Sequence, residues 1–221
     1  MNIVVIGGGE PGKFGNDFCK RARSEGHTVF ILSHRDYHNQ DPLHHHADFT
    51  KPDAVVDAFN KLTKNIDQID LFVFNTNRCG GPGHLKDFKS TASINIDDYN
   101  TGIYYTVILP HLLTIEAFKK MSAGSKFVFL STRMALEYKR TMYTEMAAYA
   151  GTKAYQIHLM IALSNHNDKG VIGTTVCPHF PYDNPEDYKK VFDMTYTYIL
   201  NFEKNANVEF ISIWNDFNIF N

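Results

Sequence analysis

Short apolar runs alternate with longer segments of helical spacing from one end of the chain to the other. The runs at 3–6, 28–33, 71–75, 126–131, 173–177 and 208–214 are rich in Val, Ile, Phe or Thr and read as strands. A seventh, weaker strand precedes Asp48. Between the runs, 13–25, 52–65, 100–121, 149–166 and 185–203 carry apolar residues at helical intervals. Pro52 and Pro185 stand at first-turn positions, where a missing N–H is tolerated. The runs Leu71-Phe72-Val73-Phe74 and Phe127-Val128-Phe129-Leu130 are apolar on both faces, as strands covered on both sides must be. The repetition therefore predicts a doubly wound α/β fold (a Rossmann fold), a parallel sheet of about seven strands with helices on both faces. No linker, repeat or low-complexity tract interrupts it, and residues 1–221 read as one domain.

Two stretches break the rhythm. The histidine-rich 36–47 and the polar 78–97, with Gly80, Gly81 and Gly83, carry no helix signal and are expected to be loops at a site or on the surface. His44, His45 and His46 invite a metal reading, but consecutive residues on a strand point to opposite faces and cannot converge on one ion. No metal is expected. Charge narrows the partners further. With 22 Lys+Arg against 24 Asp+Glu, the net charge of −2 supplies no field to draw nucleic acid or anionic lipid, so neither is expected as a partner. Cys19, Cys79 and Cys177 are too far apart in sequence for a Cys-x-x-Cys motif, which favours a reducing compartment. The start carries no positive leader, and the longest apolar stretch, 102–115, is interrupted by Pro110 and His111. A cytoplasmic protein is expected.

The first strand runs into Gly7-Gly8-Gly9-Glu10-Pro11-Gly12-Lys13-Phe14-Gly15 and then a helix. A pyrophosphate reaches the N–H groups of a helix N-terminus only where no Cβ stands in its way, so glycine recurs at such turns. Two registers fit, Gly7-x-Gly9-x-x-Gly12 and Gly8-Gly9-x-x-Gly12-x-x-Gly15. Gly7, Gly9, Gly12, Lys13 and Phe14 are the candidate phosphate-side residues. The end of the second strand selects the nucleotide. An acid there takes ribose hydroxyls in NAD sites, whereas a 2′-phosphate wants a cation. Ser33, His34 and Arg35, together with Lys13, favour NADP, and the nearby Asp36 keeps NAD as the alternative.

Tyr149 and Lys153 lie four apart on a predicted helix and share a face. A phenol of pKa about 10 is a poor acid–base catalyst near neutrality, and an adjacent ammonium favours its ionised form. Taken with the glycine turn, the chain resembles the short-chain dehydrogenase/reductase family as far as about Pro178. Asp48, Phe49 and Thr50 look like the element that holds adenine. The strand ending in Asn75, Thr76 and Asn77 is similar to the family's asparagine-bearing strand, and the strand 124–131 resembles the one ending in the active-site serine. Tyr149 with Lys153 resembles the signature pair, and Pro178 stands where the family has a proline after strand six. The resemblance implies that Tyr149 exchanges a proton with the substrate oxygen while Lys153 lowers its pKa and holds the nicotinamide ribose. It implies further that Ser131 hydrogen-bonds the substrate oxygen and that Asn100 completes a proton relay, unless Asn100 is an ordinary N-cap.

The chain also departs from the family. Ser131 and Tyr149 are eighteen residues apart, wider than the usual spacing, and Thr132 competes for the serine role. His179 replaces a glycine, and 180–184 is short for a substrate loop, which leaves 133–148 as the nearest cover. Phe180, Tyr182, Met134, Tyr138 and Tyr143 could rim a planar substrate or simply pack. The leading expectation is an NAD(P)-dependent oxidoreductase acting on a small carbonyl or alcohol. The alternatives are a catalytically silent nucleotide-binding or interaction protein on the same fold and a nucleotide-sugar epimerase, for which the chain is short. Helices 100–121 and 149–166 carry apolar residues on more than one stripe: Ile103, Val107, Leu112 and Ile115 in the first, Ile157, Met160, Ile161 and Leu163 in the second. In the resembled family such helices pair across a two-fold axis, so a homodimer or homotetramer is expected.

Overall fold

The computed structural model describes residues 1–36, 40–76, 100, 102–132, 135, 147–180, 183–204 and 206–211, the side chains of 147–149, 166, 206–208 and 210 excepted. Seven strands, β1 (Asn2–Ile6), β2 (Thr28–Ser33), β3 (His44–His46), β4 (Leu71–Phe74), β5 (Lys126–Leu130), β6 (Ile172–Pro178) and β7 (Ala206–Ile211), form one sheet. Their order is β3-β2-β1-β4-β5-β6-β7 and every pairing is parallel. The helices are α1 (Phe14–Ser24), α2 (Pro52–Leu62), α3 (Leu109–Lys119), α4 (Ala147–His166) and α5 (Pro185–Asn201). The chain moves outward from β1 to β3 and then returns to place β4 on the other side of β1. The crevice between the carboxyl ends of β1 and β4 is thus the switch point where open α/β sheets hold ligands.

Period-two alternation divides the core between the two faces. Val4, Ile6, Phe72, Phe74, Phe127 and Phe129 face α2, α3 and α4, while Ile3, Val5, Leu71, Val73, Val128 and Leu130 face α1 and α5. On the first side the strands themselves supply most of the rings; on the second, aliphatic strand residues meet rings from the helices, among them Phe14, Phe18, Phe192 and Tyr196. Gly173 is explained by this packing: it pairs with Phe127 across β5 and β6, and a Cβ at Gly173 would land on the Phe127 ring.

The weaker seventh strand expected before Asp48 is β3, formed by the histidine triplet at the end of the stretch otherwise read as loop, with His44 buried and His46 exposed. Two expectations of extent are corrected. The helix predicted over 100–121 is not a continuous α-helix, because Tyr104–Ile108 is π-helical. The Leu109 N–H reaches back five residues to the Tyr104 carbonyl, and Pro110 has no N–H to give. The Tyr105 carbonyl is therefore passed over, and the Thr106 carbonyl lacks its α-helical donor. The last strand starts earlier than the pattern predicted, at Ala206, and 212–221 lie outside the described residues.

Candidate active site

The glycine turn sits at the switch point. Gly7 has φ +86° and donates its N–H to the Leu32 carbonyl at 2.8 Å, and a Cβ there would come within 2.7 Å of the Asn75 carbonyl oxygen. Asn75 clamps the turn, its N–H donating to the Ile6 carbonyl (2.9 Å) and its side-chain amide to the Gly7 carbonyl (3.1 Å). Gly9 is buried, whereas Glu10, Pro11, Gly12 and Lys13 are exposed. Gly12, at φ +70°, has open space where a Cβ would point. α1 starts from Lys13 in extended backbone (φ −118°, ψ 154°) without a side-chain cap; Asn16 and Asp17 donate to the Lys13 carbonyl, which leaves the Phe14 and Gly15 N–H groups with no acceptor inside the helix. These features fit a phosphate: an open, glycine-bearing approach to uncapped amides.

Phe14 has a different role from the one its position implied. Its ring is buried against Phe180, Phe192 and Phe18, at centroid distances of 5.0, 5.7 and 5.8 Å. What Phe14 can offer a phosphate is its main-chain N–H. Cys19 packs beneath Gly8, and burial pushes its thiol pKa up to about 12.

At the outer end of β2, Ser33 is buried and its hydroxyl donates to the Arg35 carbonyl at 2.6 Å. That hydroxyl lies 2.7 Å from His44 Nε2, and its one proton is already given, so the imidazole is the donor. Ser33 therefore shapes the loop rather than presenting an open hydroxyl. Arg35 and Asp36 are exposed, and His34 is half-buried against the Phe49 and Tyr105 rings. Phe49 belongs to the core. Asp48 is exposed, and hydrogen bonds from Thr50 together with Lys51 hold its carboxyl below the usual carboxylate range.

The lysine end is built from four elements. Lys153, the seventh residue of α4, is 2% exposed. Its ammonium donates to the Leu130 carbonyl at the end of β5 (2.9 Å), to the Thr76 carbonyl just beyond β4 (3.0 Å) and to Gln156 Oε1 (3.1 Å). Ser131 is half-buried, with its N–H on the Val176 carbonyl (2.9 Å) and its hydroxyl on the Lys153 carbonyl (3.3 Å). Cys177 lies beside Ser131 and Lys153, and burial pushes its thiol up to about 12 despite both neighbours. Pro178 closes β6 next to it. Thr76 is 5% exposed, its hydroxyl spent on the Tyr105 carbonyl (3.1 Å). Tyr149 lies one helical turn before Lys153 in α4. Asn100 is in helical backbone and exposed. The carbonyls that the lysine network uses from that region are those of Tyr105 and Thr106, further along. Met134, Tyr138, Tyr143 and Tyr182 lie outside the described residues.

Gln156 and the π-helical carbonyls are the parts the sequence pattern did not single out. A polar residue three positions beyond Lys153 in an otherwise apolar stretch was the available signal.

No protein-family model and no curated protein matches the chain. Solved structures do. A short-chain dehydrogenase/reductase from Serratia marcescens superposes with TM-score 0.75 at 16% identity, over 96% of this chain and 95% of that one. A short-chain dehydrogenase from Burkholderia cenocepacia in complex with NADP gives 0.72 at 16% identity over 95% of both chains. BdcA in complex with NADPH gives 0.71 at 17%, over 96% of this chain and 92% of its own. The chain has the fold of the short-chain dehydrogenase/reductases along nearly its whole length. Among the described residues, no helix is long and apolar enough to cross a membrane.

Proposed function

We propose that the protein is a divergent short-chain dehydrogenase/reductase, an NADP-preferring oxidoreductase that moves a hydride between nicotinamide and a small carbonyl or alcohol. The observation that carries this reading is the delivery of a buried ammonium, Lys153, to the carboxyl ends of β4 and β5 next to Ser131, across the switch point from an open glycine turn. The nicotinamide coenzyme would supply the hydride. The α1 amides and Gly12 would take its pyrophosphate, and Arg35 its 2′-phosphate. Tyr149, one turn before Lys153, would hold the proton exchanged with the substrate oxygen. Ser131 would donate to that oxygen as charge gathers on it. All three N–H groups of Lys153 are committed to protein acceptors, so holding a ribose hydroxyl requires that one acceptor be shared or released.

Titration by nicotinamide fluorescence followed by a panel of carbonyl substrates tests the reading. Tyr149→Phe is expected to cut turnover about a hundredfold or more while leaving NADPH affinity near wild type. Wild-type kcat in that variant would sink it. The segment after β6 favours a second reading, a nucleotide-binding protein without turnover. Phe180 is stacked on Phe14 and packs on Tyr188 of α5, so the start of the shortened substrate segment is anchored to the core. NADPH binding with no turnover on any carbonyl would select it.

A homodimer or homotetramer belongs to the same proposal. Ile103, Val107, Leu112, Ile161 and Leu163 are half-buried and Ile115 is 46% exposed, an apolar surface along the π-helical turn, α3 and α4 that a second copy would cover. Ile157 and Met160, expected to share in that face, are instead buried within the chain.

A further inference from the structure

Among the described residues the Lys153 ammonium donates to three uncharged acceptors, two main-chain carbonyls and the Gln156 carboxamide. Gln156 is fully buried and held at both ends, since its Nε2 donates to the Thr106 carbonyl at 3.1 Å. That carbonyl is available because Pro110 has no N–H to fill the α-helical place. The neighbouring Tyr105 carbonyl, passed over when Leu109 bonds to Tyr104, is taken by Thr76, whose own carbonyl receives Lys153. The π-helical turn thus feeds two freed carbonyls into one buried network around the ammonium. Double use of its amide also fixes the orientation of Gln156, with its oxygen toward Lys153 and its nitrogen toward Thr106.

We propose that Gln156 is a positioning residue for Lys153: pinned by the π-helical turn, it holds the ammonium at the sheet edge with a neutral acceptor, leaving the positive charge to act on the Tyr149 phenol. A carboxylate at that position would orient the ammonium equally well, but it would cancel the charge that the phenol needs. The inference rests on the reading of Tyr149 and Lys153 as the acid–base pair. Other titratable groups near Lys153 are few among the described residues. Cys177 on β6 stays neutral as a buried thiol, and Tyr105 of the π-helical turn directs its ring to His34 and Phe49. The ends of β4 and β5 present carbonyls and Ser131.

The test is the ionisation of Tyr149 in the coenzyme-free protein. It is followed by near-ultraviolet phenolate absorbance as the difference between each protein and its Tyr149→Phe counterpart. Gln156→Glu is expected to move the Tyr149 step to higher pH, lowering its ionisation constant about tenfold or more, because the carboxylate neutralises the field at the phenol. Gln156→Met, which withdraws the acceptor that orients the ammonium without adding a charge, is expected to move the step the same way but by less, since Lys153 is then held less firmly toward the phenol. The Met variant carries the test if the Glu variant does not fold. A Tyr149 step that stays at the wild-type position in the Met variant, or that moves to lower pH in either variant, would overturn the inference. The underlying reading fails separately, if Tyr149→Phe retains turnover. Where turnover is measurable, the pH limb of kcat should follow the same displacements.

Discussion

Lys153 and Arg35 are two of the cations assigned to the proposed coenzyme, and the protein treats them in opposite ways. Lys153 is 2% exposed, at the centre of the sheet, with its ammonium bonded to carbonyls from β4 and β5 and to a side chain of its own helix. Arg35 is exposed in the loop beyond β2, near the sheet edge, where its main-chain carbonyl is held by Ser33 and, through Ser33, by His44. A buried ammonium is tolerated only when every donor is satisfied, so the structure around Lys153 is specified by many parts of the chain at once. An exposed guanidinium imposes no such demand. The lysine end therefore couples chemistry to stability, while the arginine end can set coenzyme choice with little effect on the fold.

The largest effect expected from this contrast is at Lys153. Lys153→Met should abolish turnover and also lower unfolding stability by about 2–4 kcal/mol, since two main-chain carbonyls and a buried amide oxygen lose their donor. Denaturant unfolding alongside kinetics checks both halves, and a variant that loses activity at wild-type stability would break the coupling. Arg35→Ala should weaken NADP about tenfold or more, the scale of one lost charge-assisted contact, with NAD unaffected and stability within about 0.5 kcal/mol. Equal losses for the two coenzymes would assign Arg35 to the loop alone. The smallest effect concerns the outer face of the helices at the lysine end. Light scattering at micromolar concentration should give the mass of two or four chains, and Ile115→Glu should lower it without changing coenzyme affinity. A monomeric mass for the wild type would leave that face to solvent.

The residues that sequence reasoning placed at the site divide along the same line. Gly7, Gly12 and Lys153 carried local signals, a glycine between strand and helix and a spacing of four from Tyr149 on one helix, while Asn75 and Ser131 were singled out by the family resemblance. Each of those signals spans fewer residues than a single element. Phe14, Phe49, Ser33 and Thr76 lie where expected along the chain, but their side chains are turned inward, bonded or packed against residues distant in sequence. Gln156 carried only a weak signal, a polar residue among apolar ones, and its meaning depends on a carbonyl fifty positions earlier.

By itself the sequence determined the order of strands and helices, that the central strands are covered on both faces, and where the glycine turn falls. Hydrophobic periodicity and glycine's tolerance of positive φ act over a few residues, and they need no knowledge of the partner. Tertiary structure alone decided that Tyr104–Ile108 is π-helical and that this turn, with Pro110 after it, frees two carbonyls where Thr76 and Gln156 can reach them. The satisfaction of a buried polar group depends on whichever donor or acceptor the folded chain brings within about 3 Å, and sequence spacing carries no record of that distance.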